Sequence, residues 1–69
     1  MEPDEIFQLI VKADERLKYA TAGKGDARAR QAADLLGEAQ REAEAIGNEQ
    51  LAQQAKLRLA DLEALLSEG

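Results

Sequence analysis

The stretch DARARQAADLLGEAQREAEAIGN, residues 26–48, decides the fold because it reads as one helix with a capping residue at each end. Asp26 can accept backbone N–H bonds from the first turn, and Gly47 suits the left-handed conformation that ends a helix. Between them, apolar residues recur at spacings of three and four, which predicts one buried face. That face is Ala29, Ala32, Leu35, Leu36, Ala39, Ala43 and Ile46. We therefore predict a central helix over residues 26–46.

Towards the amino terminus, a second helical pattern covers residues 4–22. Pro3 and the acidic residues after it favour a helix start, and Gly23 marks the predicted end. The predicted core residues of this helix are Ile6, Leu9, Ile10, Ala13, Leu17 and Ala20. Phe7 and Val11 lie four residues apart at one side of this stripe, so we predict that they form an apolar shoulder.

A third helical pattern follows Gly47 and covers residues 48–67, with Asn48 as the predicted cap. One apolar stripe consists of Leu51, Ala55, Leu59, Leu62 and Leu66. A second apolar side consists of Leu57, Ala60 and Ala64. Since one stripe is enough to complete a bundle, the second side requires a further neighbour or stays exposed.

Three helices with short connections predict an all-α fold, an antiparallel three-helix bundle that forms a single domain over residues 1–69. A chain of 69 residues is near the lower limit at which one hydrophobic core is stable, so self-association is an open alternative. The turn at Gly47 and Asn48 is tight. Helix three therefore either folds back on its own chain or exchanges into a neighbouring copy.

The composition argues against several chemistries. The chain has no histidine and no cysteine, which removes histidine acid–base catalysis, thiol nucleophiles, disulfides and the usual zinc ligands. Glu38 and Glu42 lie four residues apart, as expected for a solvated helix face rather than a carboxylate site. We expect no enzymatic activity, no cofactor and no metal ion.

Charge is unevenly distributed along the chain. The net charge is −5, yet the segment 12–30 carries six basic and three acidic residues, so it is +3 and the remainder is −8. Lys24, Arg28 and Arg30 surround the predicted start of helix two and are candidates for weak anion contacts. Readers of single-stranded nucleic acid interleave aromatic and basic residues, and only Tyr19 is near, so the sequence disfavours a nucleic-acid partner.

Neither a membrane span nor a secretory signal is expected. The longest uncharged run in the first helix, residues 6–11, is far shorter than the roughly 20 residues that a spanning helix needs. Residues 1–5 lack the basic region that opens a signal peptide. Because no cysteine demands an oxidising compartment, we expect a soluble cytoplasmic protein without membrane contact.

Residues 26–66 resemble part of a tetratricopeptide repeat array, on the strength of Ala32, Leu36, Ala39, Gly47, Asn48, Leu59 and Ala60. The resemblance implies partner contacts from Gln54, Leu57, Asp61 and Ala64, and burial of Ala60 against helix two. Ala13 and Asp14, with the alanine–leucine run of helix two, also resemble the three-helix microtubule-interacting and trafficking (MIT) domain. Both families bind peptides or helices, which implies a binding role here.

We therefore expect a small helical protein–protein interaction module that presents a helix face to a protein partner. The expected partner-binding residues are Gln54, Leu57, Asp61 and Ala64, with Phe7 and Val11 as a second apolar patch. One alternative is a structural homodimer or oligomer whose self-association completes the core. The second alternative is an accessory that contacts RNA or phosphate through the basic segment 12–30.

Overall fold

The computed structural model describes residues 1–18 and 25–68, and the side chains of residues 1–18 and 27–64. Three helices make up this part of the chain: α1 is Pro3–Lys18, α2 is Gly25–Ala45 and α3 is Glu49–Glu68. The prediction of an all-α three-helix bundle is confirmed. The predicted end of the first helix near residue 22 and the predicted roles of the Asp26 and Leu66 side chains lie outside the described residues.

Helix α1 starts where the sequence predicts. The N–H of Ile6 donates to the carbonyl oxygen of Glu2 at 3.1 Å, so Glu2 is the N-cap and Pro3 is the first helical residue. Proline is favoured there because its missing N–H would have no partner within the helix in any case. Asp4 and Glu5 in the first turn add favourable interactions with the helix dipole.

Gly47 and Asn48 form the turn between α2 and α3, where Gly47 ends α2 and Asn48 caps the start of α3. Gly47 has a φ of 72°, its N–H donates to Glu44 O at 3.1 Å, and the N–H of Asn48 donates to Ala43 O at 2.8 Å. These two bonds form a Schellman motif. Asn48 then caps α3, since its Oδ1 accepts the N–H of Leu51 at 3.1 Å. The predicted roles of Gly47 and Asn48 are both confirmed.

The prediction that Ile46 belongs to the buried face is wrong, because its side chain is 41% exposed. Helix α2 ends at Ala45, one residue earlier than predicted. Ile46 therefore stands at the start of the Schellman turn, where the chain departs from the helical path that carries the other apolar residues into the core.

The core lies along α2, because α1 and α3 both pack extensively against α2 and touch each other little. Its buried members are Ile6, Ile10, Ala13, Ala29, Ala32, Leu36, Ala39, Ala43, Ala55 and Leu62. The predicted residues Leu9, Leu17, Leu35, Leu51 and Leu59 are partly buried against this cluster. Helix α2 contributes mainly alanine, which lets both neighbours approach its backbone closely. Helix α3 folds back on α2 of its own chain.

Candidate functional site

The outer face of α3 is a set of exposed residues on the side of the helix away from the core. The set is Gln50, Gln53, Leu57, Ala60, Asp61 and Ala64. Leu57 lies at its centre and is 57% exposed, the highest value among the exposed large hydrophobic side chains of the described residues. Three predicted partner-binding residues, Leu57, Asp61 and Ala64, belong to this face. Gln54, the fourth on this helix, is half-buried at its edge.

Helical periodicity explains why Leu57 faces solvent. Ala55 and Leu62 are buried in the core and fix the rotation of α3 about its axis. Leu57 follows Ala55 by two positions, which is roughly 200° around the helix, so it must point away from the core. Ala60 is exposed as well, whereas the tetratricopeptide resemblance implies that it is buried.

Charge is nearly absent from the outer face, in contrast to the corresponding side of α2. Asp61 is its single charged residue. The other exposed charges of the described part of α3 lie along one flank at seven-residue spacing, and they are Glu49, Lys56 and Glu63. The exposed line of α2 opposite its core face carries Arg30, Asp34 and Arg41. The two helices therefore present surfaces of different chemistry.

The second predicted patch, Phe7 and Val11, lies on the side of α1 that faces α3. Phe7 is 47% exposed and Val11 is half-buried. Asp14 follows Val11 by three positions on the same side of α1, and its carboxylate interacts with Arg58 of α3. The structure thus places this patch on the side of α1 whose Asp14 pairs with Arg58 of α3.

Arg58 connects the two outer helices and borders the outer face of α3. Its Nε is 3.2 and 3.3 Å from the two carboxylate oxygens of Asp14. Its Nη1 is 3.4 Å from the carbonyl oxygen of Gln54, one turn earlier in α3. Both side chains of the ion pair are partly exposed. The backbone carbonyl of Gln54 is therefore next to the Arg58 guanidinium, at the α1 side of the candidate face.

The predicted anion-contacting residues are not gathered into one site by the described part of the chain. Arg28 lines a shallow open groove between α1 and α2 together with Lys12, Arg16 and the acidic Glu15. Arg30 is exposed and follows Arg28 by two positions, so it lies on another side of α2. Lys24 lies outside the described residues. The groove is basic, but all the side chains that line it are exposed.

A second open groove runs between α2 and α3 near the turn, with a volume of about 450 Å³. It is lined by Gln40, Glu44, Gly47, Glu49, Ala52, Gln53 and Lys56. No polar or charged side chain is buried among residues 1–18 and 27–64, so this groove has no fixed polar group that would orient a small ligand. Among the described residues, no cluster of three acidic side chains is placed to hold a metal ion.

In the part of the chain that the structure describes, no helix combines the length and apolar character needed to cross a bilayer. Comparison with protein-family models, with curated proteins and with solved structures finds no match for this chain. The resemblances to tetratricopeptide repeats and to the MIT domain therefore stay predictions. The fold and its surface define a class only: a small all-α three-helix bundle with one exposed and nearly uncharged helix face.

Sequence reasoning missed the contribution of Arg58. Spacing along one helix identifies which residues share a side, but it does not say which residue of another helix they meet. Asp14 and Arg58 are 44 residues apart in sequence, and the packing of α1 and α3 on α2 brings them together. Their opposite charges were the only signal in the sequence.

Proposed function

We propose that this chain is a protein–protein interaction module that presents the outer face of α3 to a partner. The observation that carries the proposal is Leu57, a large apolar side chain that is 57% exposed at the centre of the outer face, where Asp61 is the single charged residue. The cores of protein interfaces are depleted of charged residues, and the residues around Leu57 have that composition.

A single exposed leucine is common on protein surfaces and does not by itself indicate binding. The surroundings of Leu57 are what distinguish it. On α2 the comparable line carries three charged residues, which keep it solvated, whereas the outer face of α3 carries glutamine and alanine beside Leu57 and the single charge of Asp61. The small side chains of Ala60 and Ala64 also let a partner helix approach closely.

The expected energy is modest. Full burial of a leucine side chain contributes about 1.5–3 kcal/mol, so covering the exposed half of Leu57 contributes about 1 kcal/mol. Phe7 of α1 is 47% exposed and adds a comparable amount where the partner also covers α1. Such a surface favours a partner with a complementary apolar surface over a highly charged partner.

The phosphate-contact alternative has less support. Arg28 does share a groove with Lys12 and Arg16, but Glu15 lines the same groove and offsets part of its charge. All of these side chains are exposed, and exposed charges interact weakly with counter-ions at physiological salt. The interaction face on α3 is therefore our proposal.

A photo-crosslinking amino acid at Gln53 tests the proposal in cells, with the same amino acid at Asp34 of α2 as the matched control. We expect a protein adduct from position 53 and none from position 34. The purified adduct partner is then titrated against wild-type chain and Leu57→Glu. We expect at least tenfold weaker binding for the variant, because a charge replaces the apolar centre of the interface.

Circular dichroism of Leu57→Glu is the folding control, and its helix content should match the wild type because the side chain is exposed. Loss of helix content would place Leu57 in the core and contradict the proposal. Equal labelling from positions 53 and 34 would also contradict it, since contact would then not depend on the outer face of α3.

A further inference from the structure

We propose, on the basis of the function proposed above, that the partner of the outer face of α3 is a second copy of this chain, packed antiparallel through α3. The evidence is a seam of five exposed residues: Gln50, Gln53, Leu57, Ala60 and Ala64. Successive members are three, four, three and four residues apart. This is the spacing of helices that pack against one another over several turns.

The sizes of the seam residues select the antiparallel arrangement. In such a pair, Leu57 of one copy lies opposite Ala60 of the other, so a large side chain meets a small one in two symmetric central layers. The next layers place Gln53 opposite Ala64. A parallel pair would instead set Leu57 against Leu57 and each alanine against itself, so the alanine layers would leave gaps beside the leucine layer.

The charges beside the seam agree with the same register. Lys56 and Glu63 lie on one flank, and the antiparallel register puts Lys56 of each copy next to Glu63 of the other. Glu63 already interacts within its own chain, and a carboxylate accepts enough hydrogen bonds to serve both partners. On the other flank, Asp61 of one copy faces Gln54 of the other, whose amide is a donor. The register therefore contains two opposite-charge pairs, one for each copy of Lys56.

The dimer is expected to be weak. Its apolar centre consists of two leucines and four alanines, and each copy carries a net charge of −5 that opposes association. Small interfaces of this kind are transient, with dissociation constants between about 1 μM and about 1 mM. Sedimentation equilibrium over that concentration range, at physiological salt, should show a reversible monomer–dimer equilibrium.

Charge exchange tests the register. Lys56→Glu places two acidic residues together in each flanking pair, and Glu63→Lys places two basic residues together. We expect each single variant to weaken dimerisation at least fivefold, because the attraction in both flanking pairs is lost and repulsion replaces it. The double variant restores opposite charges and should return to within about threefold of the wild type.

Cysteine cross-linking tests the orientation, and it has no background because the chain contains no cysteine. An equimolar mixture of Gln53→Cys and Ala64→Cys, treated with oxidised glutathione, should form a disulfide between the two variants. Each variant alone should not link to itself. In the antiparallel register two copies of position 53 are about 17 Å apart along the axis, far beyond disulfide reach.

The outcomes separate this inference from the function proposed above. A monomer at about 1 mM, together with labelling of another protein from Gln53, would overturn self-association and leave the interaction face intact. A monomer without any labelling would overturn both. Self-linking of Gln53→Cys would establish a parallel pair and overturn the register, as would a dimer that is insensitive to both Lys56→Glu and Glu63→Lys.

Discussion

Helices α2 and α3 are nearly equal in length, at 21 and 20 residues, but they differ in what they bury and in what they expose. Helix α2 buries a stripe that is mostly alanine and contacts both neighbours, and the side opposite its core face is charged. Helix α3 contacts mainly α2, and its outer face carries a single charged residue, Asp61. The inner stripes build the fold, while the difference between the outer sides is the basis of the proposed binding face.

This difference separates two roles of an apolar residue that composition alone does not distinguish. Leu36 and Leu57 are both leucines on amphipathic helices, yet one is fully buried and the other is 57% exposed. Burial assigns Leu36 to stability. The exposed position of Leu57, on a face with a single charged residue, assigns it to binding in our proposal.

The largest expected effect comes from a matched pair of truncations. Leu36→Ala removes a fully buried side chain, so it should lower the free energy of unfolding by about 2–5 kcal/mol, enough to unfold much of so small a domain. Leu57→Ala should change it by less than about 0.5 kcal/mol. Urea unfolding followed by circular dichroism, at a concentration where the chain is monomeric, measures both. Equal losses of unfolding free energy for the two variants would contradict the contrast between the two helices.

A smaller effect is expected at two glycines, Gly37 inside α2 and Gly47 in the turn that follows α2. A Cβ at Gly37 of α2 would meet only Arg41 Nη1 at 3.5 Å, an ordinary contact with a flexible side chain. Gly37→Ala should therefore raise the free energy of unfolding by about 0.5–1 kcal/mol. Gly47→Ala is the control. This variant should lower the free energy of unfolding by about 1–2 kcal/mol, because φ at Gly47 is 72°. Thermal melts of both variants measure these changes in stability. Destabilisation by Gly37→Ala would indicate that a neighbouring group packs closely against α2 at this glycine.

The sequence was sufficient to predict the elements of the fold and the exposure of Leu57, because both depend on local rules. Apolar spacing gave the three helices, and cap chemistry gave the turn at Gly47 and Asn48. The predicted burial of Ile46 was wrong for a local reason as well, since spacing alone does not say at which residue the helix ends. Within the described residues, the misplaced member of the predicted apolar face of α2 was this terminal one.

Relations between helices were beyond sequence reasoning. Lys12 and Arg16 join Arg28 in one groove, whereas Arg30, only two residues from Arg28, does not line it. Such groupings depend on how each helix is rotated against its neighbour. The rotation is set by packing of the whole core, and no short motif encodes it.

The smallest expected effect concerns Asp14 and Arg58, the ion pair between α1 and α3. Its side chains are 50% and 38% exposed, and a single guanidinium N–H is shared between both carboxylate oxygens, so solvent and geometry both weaken it. A double-mutant cycle with Asp14→Ala and Arg58→Ala should give a coupling of about 0.2–1 kcal/mol that decreases at high salt. A coupling of zero would mean that this ion pair does not help to hold α1 against α3. A measurable one would show that α1 helps to fix the side of α3 that carries Gln54, and hence the edge of the proposed binding face.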